Sequence, residues 1–238
     1  MKKFAIIGVS GFVSERHLIA IKETGNKVEV AYDVKKNLNL LNKYFPNCTF
    51  SSKLKEFNKL ISKKKIQYLS ICSPNHLHFK HILIGLKNNL NIICEKPIVI
   101  NNSQIKKINN LPENKKNKIN SILQLRCHPS LIKIKQKLEK KKQKNRVKLV
   151  YYTERNPKYF KSWKGIKSKS GGILMNVGVH FFDMLIWFFG DIMRTKVTKM
   201  TPELGCGFLY FKNAVVEWKL HLKKKSGSNL KVKRSINI

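Results

Sequence analysis

Residues 91–100 read NIICEKPIVI, an apolar run that stops on Glu95, Lys96 and Pro97. A lysine locked against a proline where a buried strand ends can donate to a reacting oxygen or relay its proton. Desolvation at such a place lowers an ammonium pKa. The proline restricts the backbone and permits a tight or cis turn. Of the 43 lysines in the chain, most must stand on the surface and snorkel to water. The position of Lys96, rather than its charge, singles it out.

Residues 172–190, GILMNVGVHFFDMLIWFFG, hold a second chemical set. Asn176, His180 and Asp183 are spaced by four and three, which puts them on one helical face. Imidazole is the commonest general base near neutral pH, and a carboxylate one turn on can orient it. Lys96 and His180 are therefore the candidate acid/base pair. The segment is long enough to span a bilayer, but ionisable residues inside a span are costly. It reads as a core helix whose polar stripe faces a site.

The elements that must position these groups follow from the hydrophobic pattern. Apolar strands at 3–7, 27–33, 66–72 and 90–94 alternate with helical stretches at 17–24, 38–44, 54–62 and 75–86, the last capped by Asn75. That alternation predicts an α/β fold, a doubly wound parallel sheet of the Rossmann kind. Ligands bind at the carboxyl ends of such strands. Gly8, Asp33, Ser73 and Lys96 all fall there.

The first turn, GVSGFVSERH, has Gly8 and Gly11, with Ser14 near where a third glycine of a dinucleotide fingerprint falls. Backbone amides between a first strand and first helix can cradle a pyrophosphate. Asp33, ending the second strand, is placed for the ribose hydroxyls and favours NAD over NADP. CSPNHLHFKH brings three histidines, at 76, 78 and 81. Positions 78 and 81 share a helix face, 76 and 78 do not, and no carboxylate is near in sequence, so a metal site is not expected. A helix start beside the cofactor is.

Beyond residue 118 the rhythm changes. A strand at 119–126, a basic amphipathic helix at 129–142, a strand at 149–153, the apolar helix and strands at 208–211 and 215–222 predict a second, α+β domain. The expected division is 1–123 for NAD and 124–238 for the substrate. Residues 112–118 read as a surface loop, and 223–238 give no strong core signal.

Composition excludes some classes. With 42% hydrophobic residues the chain is globular. A net charge of +36 points first to nucleic acid. Yet only six of the basic residues are arginine, lysines are scattered throughout, and 23 asparagines accompany them. An A+T-rich coding sequence produces that composition, and no nucleic-acid partner is expected; the charge would still attract anionic ligands. Five cysteines without CxxC or metal spacing read as small buried thiols in a reducing cytoplasm. The apolar run at the N-terminus is about five residues, short of a secretory h-region.

Taken together, the GxxG turn, SPNHLH, EKP and GVHFFD resemble the Gfo/Idh/MocA sugar oxidoreductases. GVSGFVSERHLIAIKETGN, YLSICSPNHLH, ICEKPIV, LQLRCHP, SWKG and NVGVHFFDMLIWFFG are similar to one branch, the UDP-N-acetyl-2-amino-2-deoxyglucuronate 3-dehydrogenases of O-antigen sugar synthesis. The resemblance implies hydride transfer from C3 of the sugar to NAD, with Lys96 and His180 as the acid/base pair. It implies cofactor contacts at Gly8, Gly11, Phe12, Asp33, Ser73, Pro74, Asn75, His78, Glu95 and Lys96. Arg155, Ser162, Lys164, Asn176 and His180 match the stretches that line the sugar. No metal and no membrane are implied, and relatives are homo-oligomers, often tetramers. Relatives also continue past residue 238, which implies an incomplete second domain. Two alternatives stay open: a dehydrogenase of the same fold for another sugar, and an inactive remnant that binds anions.

Overall fold

The computed structural model describes residues 1–140, 143–227, 229 and 231–238. The chain divides into two compact units, Met1–Ile122 and Leu123–Ile238, one residue ahead of the boundary expected from sequence.

The first unit runs β1 (Lys3–Ile7), α1 (Ser14–Glu23), β2 (Lys27–Tyr32), α2 (Asn39–Tyr44), β3 (Thr49–Ser51) and α3 (Leu54–Lys63). It continues with β4 (Tyr68–Ile71), α4 (Asn75–Lys87), β5 (Asn91–Cys94), α5 (Asn102–Asn109), α6 (Glu113–Lys116) and β6 (Ile119–Ser121). All six strands are parallel, in the order β3-β2-β1-β4-β5-β6, the doubly wound order. Successive residues of β1 feed opposite faces. Ala5 and Ile7 pack with Phe57, Ile61, Ile82 and Leu86, whereas Phe4 and Ile6 pack with Leu18, Ile21 and Leu41. Both faces are covered, which explains why these strands read as continuous apolar runs.

The second unit opens on a 3-10 turn at Gln124–Cys127 and α7 (Pro129–Lys140). Then come β7 (Asn145–Arg155), α8 (Pro157–Lys161), a 3-10 turn at Trp163–Gly165 and α9 (Lys167–Ser170). A π-helical segment, Leu174–Gly178, leads into α10 (Val179–Phe189), followed by β8 (Ile192–Met200), β9 (Leu204–Phe211), β10 (Ala214–Lys224) and β11 (Val232–Asn237). Its sheet has the order β11-β7-β10-β9-β8, with β7 and β10 parallel and the other pairs antiparallel. Met184, Leu185, Phe188 and Phe189 of α10 share one core with Val147, Leu149, Leu209, Val216, Trp218 and Leu220 of the sheet. The stretch Lys167–Phe189 is long and apolar enough to cross a membrane by length and composition, with mean hydropathy 1.6. Here its apolar side closes the core of this unit.

Several expectations are corrected. Asn75 is the first residue of α4 and the capping position belongs to Pro74. Residues 112–118 contain α6 rather than a loop alone, and the strand expected over 119–126 stops at Ser121. Strands β3, β8 and β11 carried too little apolar signal to be anticipated. The predicted helix over 129–142 reaches Lys140, and its last two residues lie outside the described ones. Cys72 and Cys94 are buried as expected, but Cys127 is exposed.

Candidate active site

In the first unit, the carboxyl ends of β1, β2, β4 and β5 carry the residues in question. Gly8 takes φ +83°, and a Cβ there would lie 2.6 Å from the Ser73 amide nitrogen and 2.7 Å from the Cys72 carbonyl carbon. Only glycine lets the turns after β1 and β4 approach this closely. Gly8 donates to Tyr32 O at 2.8 Å, and Gly11 donates back to Gly8 O at 3.0 Å. Ser14 is fully buried, and its hydroxyl lies 2.6 Å from both the Val9 and Gly11 carbonyls. The hydroxyl thus closes the loop where a third glycine was looked for. Phe12 stands out from the loop, 85% exposed.

Asp33 anchors this loop from β2. Its Oδ2 accepts from the Ser10 amide and its Oδ1 from the Lys35 amide, each at 2.9 Å. These bonds fix the loop that leads into α1, whose N-terminal amides and dipole suit an anion. The missing Cβ at Gly8, the amide-rich turn and the acid at the end of β2 fit an NAD pyrophosphate and ribose.

Ser73 and Asn75 are buried beside this turn. The Ser73 hydroxyl bonds His81 Nδ1 at 2.8 Å, and burial, followed by the charges of His78, Lys80 and His76, pulls the His81 imidazole down to about 4. His78 is fully buried. Its Nδ1 lies 2.7 Å from Pro97 O and its Nε2 2.7 Å from Ser73 O, so its ring sits between the turns after β4 and β5, and in the neutral form its one N–H donates to one of the two carbonyls. Burial pulls it toward the neutral form against both carbonyls.

The turn after β5 is the EKP stretch, with a cis bond between Lys96 and Pro97. Lys96 is half-buried. Burial raises the Glu95 carboxyl, but the hydrogen bond and charge of His17, with Lys96 and His78, outweigh it and leave the pKa lowered.

In the second unit, Arg155 ends β7, donates to Tyr151 OH at 3.3 Å and stacks its guanidinium over the Tyr159 ring at 5.7 Å. Asn176 donates to Tyr159 OH at 2.7 Å. Ser162 donates to Tyr159 O at 2.7 Å and accepts from the Lys164 amide at 3.3 Å. Lys164 rests over Trp163, and burial, then the charge of Arg155, lowers its pKa. Three of the residues expected at the sugar, Arg155, Ser162 and Asn176, therefore meet Tyr159, which sequence reasoning missed, and Lys164 bonds to Ser162 beside them. The signal for Tyr159 was an aromatic in NPKYFKSWKG, between two cation-bearing stretches.

His180 lies in the first turn of α10, directly after the π segment that contains Asn176. A π turn bonds i to i+5, so the four-residue step from Asn176 to His180 is not the α-helical step assumed from sequence; such segments concentrate at functional sites. Asp183, expected from spacing to orient His180, instead pairs with Arg126. Its Oδ2 accepts from Arg126 Nε at 2.9 Å and its Oδ1 from Arg126 Nη2 at 2.6 Å. Among the described residues, no three His, Cys, Asp or Glu side chains gather as a metal set.

Comparison with known proteins places the fold. Residues 2–122 match the model of an oxidoreductase family with an NAD-binding Rossmann fold, and residues 145–207 match that family's C-terminal alpha/beta domain. The WlbA (WbpB) dehydrogenase from Thermus thermophilus, solved with NAD and UDP-GlcNAcA, is 34% identical. It superposes with a TM-score of 0.90 over 100% of this chain and 81% of its own. The WlbA dehydrogenase from Bordetella pertussis, with NADH and UDP-GlcNAcA, shares the fold at 18% identity and a TM-score of 0.80, over 98% of this chain and 77% of its own. The D-glucoside 3-dehydrogenase of Escherichia coli (strain K12) is 22% identical over 60% of this chain. The chain spans only 26% to 61% of the length of the curated relatives it matches. With the Rossmann unit and the C-terminal domain of the family both matched, the chain belongs to the Gfo/Idh/MocA oxidoreductase family.

Proposed function

We propose that this protein is an NAD-dependent dehydrogenase that oxidises the 3-hydroxyl of a UDP-linked N-acetylamino-sugar uronate to the ketone. The observation that carries the reading is the 34% identity, across the whole of this chain, to a dehydrogenase solved with NAD and UDP-GlcNAcA. The Arg155 and Lys164 pair around Tyr159 supports it, since a diphosphate and a carboxylate call for two cations.

In this reading Gly8, Gly11, Phe12, Asp33, Ser73, Pro74, Asn75 and Glu95 hold the cofactor. NAD, when bound, supplies the acceptor for the hydride that leaves C3. Lys96 donates to the 3-hydroxyl oxygen and polarises it, and His180 takes the hydroxyl proton as the carbonyl forms. Arg155, Ser162, Lys164 and Asn176 orient the sugar acid. The reaction belongs to cytoplasmic O-antigen sugar synthesis, carried out by a homo-oligomer.

The test is NADH absorbance when purified protein meets NAD and UDP-N-acetylglucosaminuronate, with Lys96→Ala beside it. A single-turnover burst or steady turnover that the variant reduces by about 10²–10⁴, the usual worth of acid/base catalysis, is the expected result. A folded, NAD-binding wild type with no burst overturns the substrate assignment. Turnover with the sugar acid lacking UDP would point to another substrate in the same fold.

A further inference from the structure

At the EKP turn a buried serine and imidazole meet the partly buried Glu95 carboxylate in an arrangement that resembles a nucleophilic triad. His17 Nδ1 is 2.7 Å from Ser70 Oγ, and His17 Nε2 is 3.1 Å from Glu95 Oε1. The nucleophile reading fails on access. Ser70 has no exposure at all, and it sits in β4 with β1 on one side and β5 on the other. No substrate reaches its hydroxyl.

The same three groups make good sense as a clamp. An ionised carboxylate only accepts, so His17 Nε2 carries the proton that faces Glu95, and Nδ1 faces the Ser70 hydroxyl. The Glu95 carboxylate thus fixes which nitrogen of His17 donates to it, and the Ser70 hydroxyl, which can donate or accept, holds the ring in that orientation. His17 in turn holds the carboxylate. Glu95 gains no comparable freedom, because it is mostly buried and its lowered pKa depends chiefly on His17 once burial is overcome. On the far side of Lys96, Pro97 O lies against His78. Lys96 therefore stands between two residues, each met by a histidine from a different helix, α1 and α4.

We infer that His17 is a positioning residue for the EKP turn. It holds the Glu95 carboxylate in place, and through that grip it positions Lys96; Ser70 serves by fixing the imidazole. The inference rests on the proposed roles of Glu95 and Lys96, and it links the helix that starts at the glycine turn to the residue proposed to touch the reacting hydroxyl.

The experiment is a double-mutant cycle on the full chain with His17→Phe, Glu95→Gln and the pair. It is read as the NADH dissociation constant by fluorescence and, with UDP-N-acetylglucosaminuronate, as kcat. His17→Phe and Glu95→Gln should each cost about ten-fold, and the pair no more than either alone, because coupled residues are non-additive. His17→Gln, which keeps a donor near the Nε2 position, should recover most of the loss. Losses in the pair that multiply, or a His17→Phe protein with wild-type constants, would overturn the inference. Should His17→Phe fail to fold, Ser70→Ala replaces it: a smaller loss that vanishes in the Glu95→Gln background supports the clamp, and an undiminished one overturns it. The NADH arm needs no sugar, so a wrong substrate silences kcat alone and leaves this result intact.

Discussion

Arg126 and Asp183 meet in a two-pronged ion pair, Nε to Oδ2 at 2.9 Å and Nη2 to Oδ1 at 2.6 Å. The pair joins the 3-10 turn that opens the second unit to α10, three residues past His180. The Asp183 side chain is 15% exposed and that of Arg126 42%, so solvent screens the pair in part. Arg126→Ala should cost about 1 kcal/mol, the worth of a bidentate pair discounted for exposure. A thermal melt should fall by about 2–4 °C for a chain of this size. Because the loss frees α10 next to His180, kcat should fall more than NADH affinity.

The glycine turn gives a sharper contrast. Gly8 and Gly25 both have positive φ, +83° and +69°, but a Cβ at Gly25 meets nothing within 4 Å. Gly25→Ala should therefore cost only the backbone term, about 1 kcal/mol. Gly8→Ala adds a collision with the main chain of Cys72 and Ser73, and should cost about 3 kcal/mol or more. Denaturant midpoints measure both, and NADH fluorescence should be lost only in Gly8→Ala.

Acid should weaken the first unit in a defined window. The His81 imidazole moves from 6.5 to about 4, mainly through burial. The unfolded chain takes up this proton near pH 6.5, and the folded chain does not until about pH 4. The contribution is full above pH 6.5 and is lost as the pH falls toward 4, up to about 3 kcal/mol by linkage. His81→Gln should flatten the difference in urea midpoint between pH 7 and pH 5. His78, shifted the same way by burial, supplies the part that remains. Glu95 moves below the carboxylate range, so its loss begins at lower pH.

Lys164 carries a prediction of the opposite sense. Burial and Arg155 lower its pKa from the usual 10.5, so its charge is lost earlier on the alkaline side than that of a surface lysine. KM for the UDP-sugar acid should rise with pH there, and Lys164→Met should remove that rise. The same variant should raise KM at neutral pH by about ten-fold with kcat little changed, the signature of lost uniform binding. Arg155→Lys should behave similarly, because the stacked, forked guanidinium over Tyr159 has no ammonium equivalent.

The first unit was legible because its strands are buried on both faces. LNIIC and YLSIC announce themselves by apolar continuity, and the residues that follow them stand at the ligand edge by topology alone. Lys96 and Asp33 could be picked out on that ground. Strand β8 was not legible: most of its residues are exposed, and MRTKVTKM has no apolar face to detect. Long-range partners escaped for another reason. Nothing in local spacing says that His17 meets Glu95, 78 positions on, or that Arg126 meets Asp183, 57 positions on. Asn176 and His180 were singled out by their spacing, but the π segment was not, since it changes hydrogen-bond pattern without changing residue type. Tyr159 was passed over because an aromatic beside lysines is commonplace in this chain.

The pairing of β7 with β10 on one side and β11 on the other has a consequence during synthesis. The first unit can form all five strand pairs of its sheet from residues already made by position 122. Strand β7, whose Val147, Leu149 and Tyr151 are buried in the finished sheet, must wait for partners that begin only at Ala214. At 5–20 residues per second, the roughly 60 residues between take about 3–12 s to emerge. Throughout that interval an apolar strand is offered to any neighbouring chain on the polysome. Its alternate residues include Arg146 and Lys148, both exposed in the finished sheet, and charges at such positions guard a waiting strand against edge-to-edge association. Part of the basic residue content thus protects the nascent chain before there is any site to serve.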